Sequence, residues 1–191
     1  MSGRRALFLD RDGVLNNDFP ESVKGAAGHV KSVHEMRLIP RSMEALAKLS
    51  GSGLFVCVVS NQSGIGRGYF GEEEFEAMTR HLLEGAASAG ARIDAVYHCP
   101  HHPEAGCDCR KPLPGMLRRA SAEHGLDLTR SVMVGDSRTD IVAGNAAGCA
   151  TVLVLSGKVT TDRWRGWDIQ PSFVAEDLLA AVPWIQEALS R

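Results

Sequence analysis

Residues 6–14 read Ala-Leu-Phe-Leu-Asp-Arg-Asp-Gly-Val, an apolar run that stops at two aspartates. A short apolar run that ends at charged residues is typical of a buried parallel strand. Residues i and i+2 of an extended segment point to the same side, so we expect Asp10 and Asp12 to face one pocket. Gly13 allows the chain to turn sharply just after them. This stretch therefore predicts a strand that delivers two carboxylates to one edge of a sheet.

Outward from this stretch, apolar runs alternate with helical patterns. The apolar runs predict further strands at 54–60, 95–97, 131–135 and 151–155. The helical patterns lie at 42–49, 72–89, 114–124, 139–147 and 176–189. Such alternation indicates a parallel sheet covered by helices on both faces. We predict a doubly wound, Rossmann-like α/β fold in one domain that spans residues 1–191, with a minimal cap because the interval 68–111 leaves little room for a lid.

The composition excludes several classes of partner. The chain has 191 residues, with 21 Lys+Arg against 23 Asp+Glu, so its formal net charge is −2. This near-neutral charge removes the main electrostatic reason to bind nucleic acid or an anionic membrane. The five cysteines are odd in number and unevenly spaced, which is a poor layout for a disulfide framework. We expect a cytoplasmic, reduced monomer that binds a small molecule and neither nucleic acid nor membrane.

Further polar residues follow the other predicted strands. Asp136 and Asp140 come after the run at 131–135, so a parallel sheet would gather Asp10, Asp12 and Asp136 at one edge. Carboxylates this close repel each other unless a cation lies among them, and hard oxygen ligands in an open site suit Mg²⁺. Ser60-Asn61-Gln62 precedes a glycine-rich run at 63–68, which predicts a nest of backbone N–H groups for an anion.

A second cluster contains thiols. Cys99, His101, Cys107 and Cys109 supply the soft ligands of a zinc site, and the spacing leaves His102 as an alternative to His101. Four protein ligands leave no open position on the metal, so we expect a structural Zn²⁺. The cluster leads directly into residues 110–111, Arg and Lys, which a rigid loop would brace.

Taken in order, these motifs resemble those of a known superfamily. Asp-x-Asp-Gly-Val at 10–14, Ser60, Lys111 and Gly-Asp-x-x-x-Asp at 135–140 are similar to the four motifs of the haloacid dehalogenase superfamily. The resemblance extends from residue 6 to about 155. Because a carboxyl group stands at position 12, the chain resembles the phosphatases of that superfamily rather than its dehalogenases or ion pumps.

The resemblance implies a role for each motif residue. Asp10 would be the nucleophile that forms an aspartyl-phosphate, and Asp12 would protonate the leaving alcohol and later activate water. Mg²⁺ would be held by Asp10, the backbone carbonyl of Asp12 and Asp136. Ser60 and Lys111 would bind phosphoryl oxygens. Asp140 would orient its neighbours rather than bind the metal.

The thiol loop before Arg-Lys-Pro is similar to two branches of the superfamily, the phosphatases of D-glycero-D-manno-heptose 1,7-bisphosphate and those of histidinol phosphate. The segments 60–68 and 109–116 resemble the heptose branch more closely. That branch implies a sugar bisphosphate substrate, His101 as the histidine ligand, and substrate contacts at Asn61, Gln62, Arg67 and Arg110. Two alternatives remain: histidinol phosphate or another small phosphate ester as the substrate, and a binding module with vestigial carboxylates.

Overall fold

The computed structural model describes residues 3–17, 29–50, 53–159 and 162–190. One sheet contains six strands: β1 (Ala6–Leu9), β2 (Phe55–Asn61), β3 (Ala95–Cys99), β4 (Val132–Gly135), β5 (Ala150–Val154) and β6 (Phe173–Ala175). The helices are α1 (Pro40–Leu49), α2 (Ser63–Gly66), α3 (Glu72–Ser88), α4 (Gly115–His124), α5 (Arg138–Ala147) and α6 (Leu178–Ser190). Short 3₁₀ helices lie at Leu128–Arg130 and Asp162–Gly166.

All strand pairs are parallel, in the spatial order β3-β2-β1-β4-β5-β6. The chain begins at the centre of the sheet, builds outward to β3, and then crosses back to place β4 beside β1. The order of strands therefore reverses between β1 and β4, and in open α/β sheets this reversal opens a crevice at the carboxyl ends of the strands. The prediction of a doubly wound α/β fold is confirmed.

The register brings three strand ends to the same level. Leu9, the last residue of β1, pairs with Val58 of β2 and with Val134 of β4. The residues that follow these partners therefore come to one edge of the sheet: Asp10 after β1, Ser60 near the end of β2, and Asp136 after β4. This alignment is what positions the site.

The core forms two layers, one on each face of the sheet. Leu7 and Leu9 of β1 belong to the layer covered by α1, α3 and α6, whereas Ala6 and Phe8 belong to the layer covered by α4 and α5. Alternate residues of one strand thus enter different layers, because successive side chains of a strand point to opposite faces. Cys57 and Cys149, the two cysteines outside the thiol cluster, are buried in the second layer.

The sequence patterns do not predict two short elements of the structure. β6 has only three residues, and α2 is a single turn of four residues at a place where the glycine-rich run predicts an open nest. The remaining predicted strands and helices are present, with bounds shifted by no more than two residues. In the described part of the chain, no helix combines the length and the apolarity that crossing a bilayer demands.

Candidate active site

Three carboxylates meet at the carboxyl edge of the sheet. Asp10 follows β1, Asp136 follows β4, and Asp140 lies in the first turn of α5. All three are buried, and one oxygen atom from each lies within 4.8 Å of the others. We refer to these three residues as the acidic cluster.

Lys111 supplies the charge that balances this cluster. Its Nζ atom lies 2.8 Å from Asp10 Oδ1 and 2.7 Å from Asp140 Oδ1, and it donates a hydrogen bond of 2.8 Å to the Val59 carbonyl. Desolvation alone lowers the pKa of Lys111, but the two carboxylates outweigh it and raise that pKa above its usual value. A charged ammonium with three acceptors is therefore fixed beside Asp10.

The pKa values of the carboxylates reflect their crowding. Burial raises the pKa of Asp10 to about 6, against the opposing effect of Lys111. Burial, followed by the charge of Asp10, raises the pKa of Asp136 to about 8. The cluster therefore favours extra positive charge, as a proton or as a cation.

Asp136 has an unused oxygen. Its Oδ2 accepts a 2.7 Å hydrogen bond from the Lys158 backbone N–H, while its buried Oδ1 has no hydrogen-bond partner among the described residues. Gly13 and Gly157 lie so close to the Asp136 carboxylate that a Cβ atom at either position would come within 2.3 Å of its Oδ2, so neither position has room for a side chain. A buried acceptor without a donor, in a group of carboxylates, fits an oxygen-binding divalent cation such as Mg²⁺.

Asp12 lies in different surroundings from those of Asp10. Its carboxylate accepts hydrogen bonds from Arg11 Nη2 at 3.0 Å, Asn16 Nδ2 at 2.9 Å and Gln62 Nε2 at 2.8 Å. Burial raises the pKa of Asp12, but the Arg11 charge and the Asn16 hydrogen bond outweigh it and lower that pKa to about 2. In a continuing strand, the Arg11 side chain would point away from Asp12. The backbone instead leaves the strand at Leu9 and turns, so Arg11 is buried and contacts Asp12.

The residues expected to bind phosphate fall into two groups. Ser60 is buried, and the side chains of Asn61 and Gln62 bind within the protein: Asn61 makes hydrogen bonds of 2.9 and 3.0 Å with the Lys111 backbone, and Gln62 binds Asp12 and Ser60. Arg67 is exposed. Arg110 is half-buried, and its buried Nη1 has no hydrogen-bond partner in the described ranges. Ser60 is therefore close to the carboxylates, while Arg67 remains open to solvent.

Several residues of the site are not marked by the sequence. The alternation rule directs Arg11 away from its aspartate neighbours, so Arg11 is missed, and nothing in the pattern distinguishes Asn16. Nor do the patterns mark Lys158, whose backbone N–H binds Asp136. The arginine between the two aspartates could itself have indicated this arrangement. A charged side chain at the end of a buried strand is seldom buried unless it is paired, and here aspartates are its neighbours in the sequence.

The thiol cluster forms beside this edge. Cys99 Sγ lies 3.5 Å from both His101 Nδ1 and Cys107 Sγ, and His101 Nδ1 lies 3.2 Å from Cys109 Sγ. His102 instead accepts a hydrogen bond from the Glu104 backbone N–H, so the structure brings His101 and not His102 to the sulfurs. One histidine nitrogen and three sulfurs at these distances are a donor set that suits Zn²⁺.

Comparisons with known proteins agree with this geometry. The family model described as HAD-hydrolase-like matches residues 108–181. The chain is 45% identical over 179 residues to D-glycero-beta-D-manno-heptose-1,7-bisphosphate 7-phosphatase of Pseudomonas aeruginosa, covering 94% of this chain and 96% of that protein. It is 43% identical to D-glycero-D-manno-heptose-1,7-bisphosphate 7-phosphatase of Thermosynechococcus vestitus, with 95% of each chain covered.

A solved structure is similar over almost the same length. The D,D-heptose 1,7-bisphosphate phosphatase from B. bronchiseptica, complexed with magnesium and phosphate, aligns with a TM-score of 0.85 and 36% identity, covering 96% of this chain and 98% of that one. Fold, site and comparisons define a hydrolase of the haloacid dehalogenase superfamily. Within that superfamily, the chain belongs to the family of the D-glycero-D-manno-heptose-1,7-bisphosphate 7-phosphatases.

Proposed function

We propose that this chain is a Mg²⁺-dependent phosphatase that hydrolyses the C7 phosphate of D-glycero-D-manno-heptose 1,7-bisphosphate in one catalytic domain spanning residues 1–191. The observation that carries the proposal is the buried acidic cluster around Lys111, in a chain 45% identical to a relative of that name. We further infer a monomer located in the cytoplasm.

Asp10 is the nucleophile of the proposed reaction. Lys111 Nζ and the Arg11 backbone N–H both bind Oδ1 of Asp10, at 2.8 Å each, so we assign the attack to Oδ2. This oxygen forms a bond to phosphorus while the bond from phosphorus to the C7 oxygen breaks, which leaves an aspartyl-phosphate. The Lys111 ammonium exchanges one of its three present acceptors for a phosphoryl oxygen, and together with the Ser60 hydroxyl it binds the oxygens whose charge changes during transfer.

Asp12 moves the protons in both half-reactions. It gives a proton to the C7 oxygen as that oxygen departs, and it then takes a proton from the water that attacks the phosphorus of the aspartyl-phosphate. The second step releases inorganic phosphate and restores the Asp10 carboxylate. Arg11, Asn16 and Gln62 hold the Asp12 carboxylate in place and favour its ionised form, which suits the step that takes a proton from water. For the first step Asp12 takes up its proton when the negatively charged phosphate binds beside it, since a nearby negative charge raises the pKa of a carboxyl group.

The acidic cluster provides the metal ligands. Asp10, Asp136 and the backbone carbonyl of Asp12 would hold Mg²⁺, and the unused Oδ1 of Asp136 supports this assignment. A bound Mg²⁺ supplies positive charge that lets a carboxylate approach a phosphate dianion. Asp140 has both oxygens engaged, Oδ1 with Lys111 and Oδ2 with the Ser137 backbone N–H, so we assign it an orienting role.

A sugar bisphosphate carries a second phosphate, for which Arg67 and Arg110 are the proposed partners, because a guanidinium binds phosphate through two parallel hydrogen bonds. The unpartnered Nη1 of Arg110 supports its assignment. Asn61 and Gln62 serve the substrate indirectly, through the Lys111 backbone and the Asp12 carboxylate that they bind.

We also propose a structural Zn²⁺ bound by Cys99, His101, Cys107 and Cys109, whose ligand atoms lie within 4.8 Å of one another. Four protein ligands leave the metal no position for substrate. The loop continues directly into Arg110 and Lys111, so the metal would hold both cations in place.

Phosphate release from both anomers of the heptose bisphosphate and from histidinol phosphate, with and without Mg²⁺, tests the proposal. We expect kcat/KM for one heptose anomer to exceed that for histidinol phosphate by about 10²-fold or more, because a site built for two phosphates leaves cations unpaired when one is missing. The reverse ranking would overturn the substrate assignment. Absence of Mg²⁺-dependent hydrolysis with every ester would favour a binding module.

A further inference from the structure

Arg11 is a buried arginine whose side chain takes part in no bond-making or proton-transfer step of the mechanism above. Its exposed fraction is 1%, and arginines are almost never buried so completely unless they are paired. Its Nη2 donates to Asp12 Oδ1 at 3.0 Å and to Gln62 Oε1 at 3.1 Å, and its Nε lies 3.3 Å from each Asp12 oxygen. On one face the guanidinium carbon lies 5.6 Å from the centre of the Phe75 ring. The arginine is thus fixed by Asp12 after β1, Gln62 after β2 and Phe75 of α3.

Gln62 has an orientation that Arg11 dictates. A guanidinium only donates hydrogen bonds, so the amide oxygen of Gln62 must face Arg11, and its amide nitrogen must face the other way. That nitrogen donates to Asp12 Oδ2 at 2.8 Å and to Ser60 Oγ at 2.7 Å. Asn16 Nδ2 adds a hydrogen bond of 2.9 Å to Asp12 Oδ1. Each oxygen of Asp12 is therefore held by donors whose own positions are set.

We propose that Arg11 is a positioning residue that, with Gln62 and Asn16, fixes the Asp12 carboxyl group for proton transfer to the leaving oxygen. The inference rests on the proposed function, in which Asp12 makes that transfer. General acid catalysis contributes about 10²–10⁴-fold and requires the donor within hydrogen-bond reach of the departing atom. An unfixed Asp12 would sample other rotamers and lose part of this factor.

The dependence on the leaving group tests this role. A sugar alkoxide needs a proton to depart, whereas p-nitrophenolate departs without one. Because kcat/KM covers the steps up to departure of the leaving group, we compare it for the heptose bisphosphate and for p-nitrophenyl phosphate. We expect Arg11→Met and Gln62→Met to lower kcat/KM for the sugar ester about 10²-fold and for the p-nitrophenyl ester less than about 3-fold. Arg119→Met, at an exposed arginine paired with Glu123, is the matched control and should change neither.

Asp12→Asn separates this inference from the proposed function. Asp12→Asn alone should lower kcat/KM for the sugar ester much more than kcat/KM for the p-nitrophenyl ester. When Arg11→Met is added to Asp12→Asn, the ratio of these two kcat/KM values should not change further. If Asp12→Asn affects both esters equally, the role of Asp12 in the proposed function is wrong. If Asp12→Asn is selective while Arg11→Met and Gln62→Met reduce both esters equally, only the positioning role is wrong. If Arg11→Met fails to fold in a thermal melt, Gln62→Met alone decides by the same ratio.

Discussion

The two ligand clusters of this protein form in opposite ways. The acidic cluster joins Asp10 to Asp136 and Asp140, which come from a distant part of the chain, and all three are buried. The thiol cluster comes from the single stretch 99–109, in which only Cys99 is buried. One cluster therefore depends on the whole sheet, and the other on a short surface loop.

This difference determines what each cluster does for the fold. The sheet places the carboxylates together and encloses them, so their charge must be balanced by Lys111 for the folded state to form. The thiol loop has almost no buried side chains of its own, so a bound metal would supply the free energy that orders it. Damage to the acidic cluster should spread through the molecule, whereas damage to the thiol cluster should stay local.

The largest expected effect is on chemistry alone. Asp10→Asn removes the nucleophile but keeps its shape, so we expect kcat to fall by about 10⁴-fold or more. The Lys111–Asp140 pair remains, so the far-UV circular dichroism spectrum should match that of the unsubstituted chain. Phosphate release measures the first quantity, and hydrolysis at the original rate would refute the assignment of the nucleophile.

Lys111→Met should have the largest effect on stability. Asp10 and Asp140 would lose the ammonium that both contact, and breaking a buried ion pair on one side costs about 3–5 kcal/mol. Urea unfolding measures the free energy. Lys48→Met is the matched control, because Lys48 and Glu44 form an exposed helical pair whose loss costs less than about 0.5 kcal/mol. Equal losses in the two variants would mean that burial of the acidic cluster does not matter.

The acidic cluster could be largely predicted from the sequence, because the convergence of Asp10 and Asp136 needs only apolar runs, helical spacing and the parallel order that they imply. The surroundings of Asp12 could not. They depend on where the backbone leaves extended geometry after Leu9, and on Phe75, which α3 brings against Arg11 from a distant part of the chain.

Two local details also could not be predicted from the sequence patterns: which histidine joins the thiol cluster, and the short strand β6. The choice of His101 over His102 depends on how the loop turns, since the spacing of the cysteines fits either histidine. β6 has three residues, which is too few for a period to be seen, although it pairs along its whole length with β5. Sequence patterns thus predict the positions of side chains at the ends of long strands and helices. They do not predict positions that are set by a turn or by a contact with a distant part of the chain.

Cys107→Ser tests whether damage to the thiol cluster stays local. We expect kcat/KM to fall about 10- to 100-fold, since Arg110 and Lys111 would shift at the substrate. The free energy of unfolding, measured for both proteins without zinc so that metal binding does not contribute, should change by less than about 1 kcal/mol. Bound zinc, measured by elemental analysis, should be lost. Cys149→Ala is the control with the reverse pattern: Cys149 is buried in the core, so stability should fall while zinc remains bound. A loss of stability from Cys107→Ser as large as that from Lys111→Met would contradict the distinction between the clusters.

The smallest expected effect concerns a carboxylate outside both clusters. Asp177 accepts a hydrogen bond of 2.8 Å from the Ala180 backbone N–H at the start of α6, and it pairs with the exposed Arg41. Burial raises the pKa of Asp177, but Arg41 and the Ala180 N–H outweigh it and lower that pKa below its usual value. A depressed pKa in the folded state means that the ionised group stabilises the protein above its unfolded pKa of about 3.9, and that this contribution is lost as the pH falls through the folded value.

Asp177→Ala should therefore cost about 1 kcal/mol of unfolding free energy near pH 7, and less near pH 3, as measured by urea unfolding. Asp177→Asn keeps a capping oxygen without the charge, so its cost should be smaller at neutral pH. A cost for Asp177→Ala that does not decrease in acid would show that the charge of Asp177 adds nothing, and that this carboxylate acts here only through its shape.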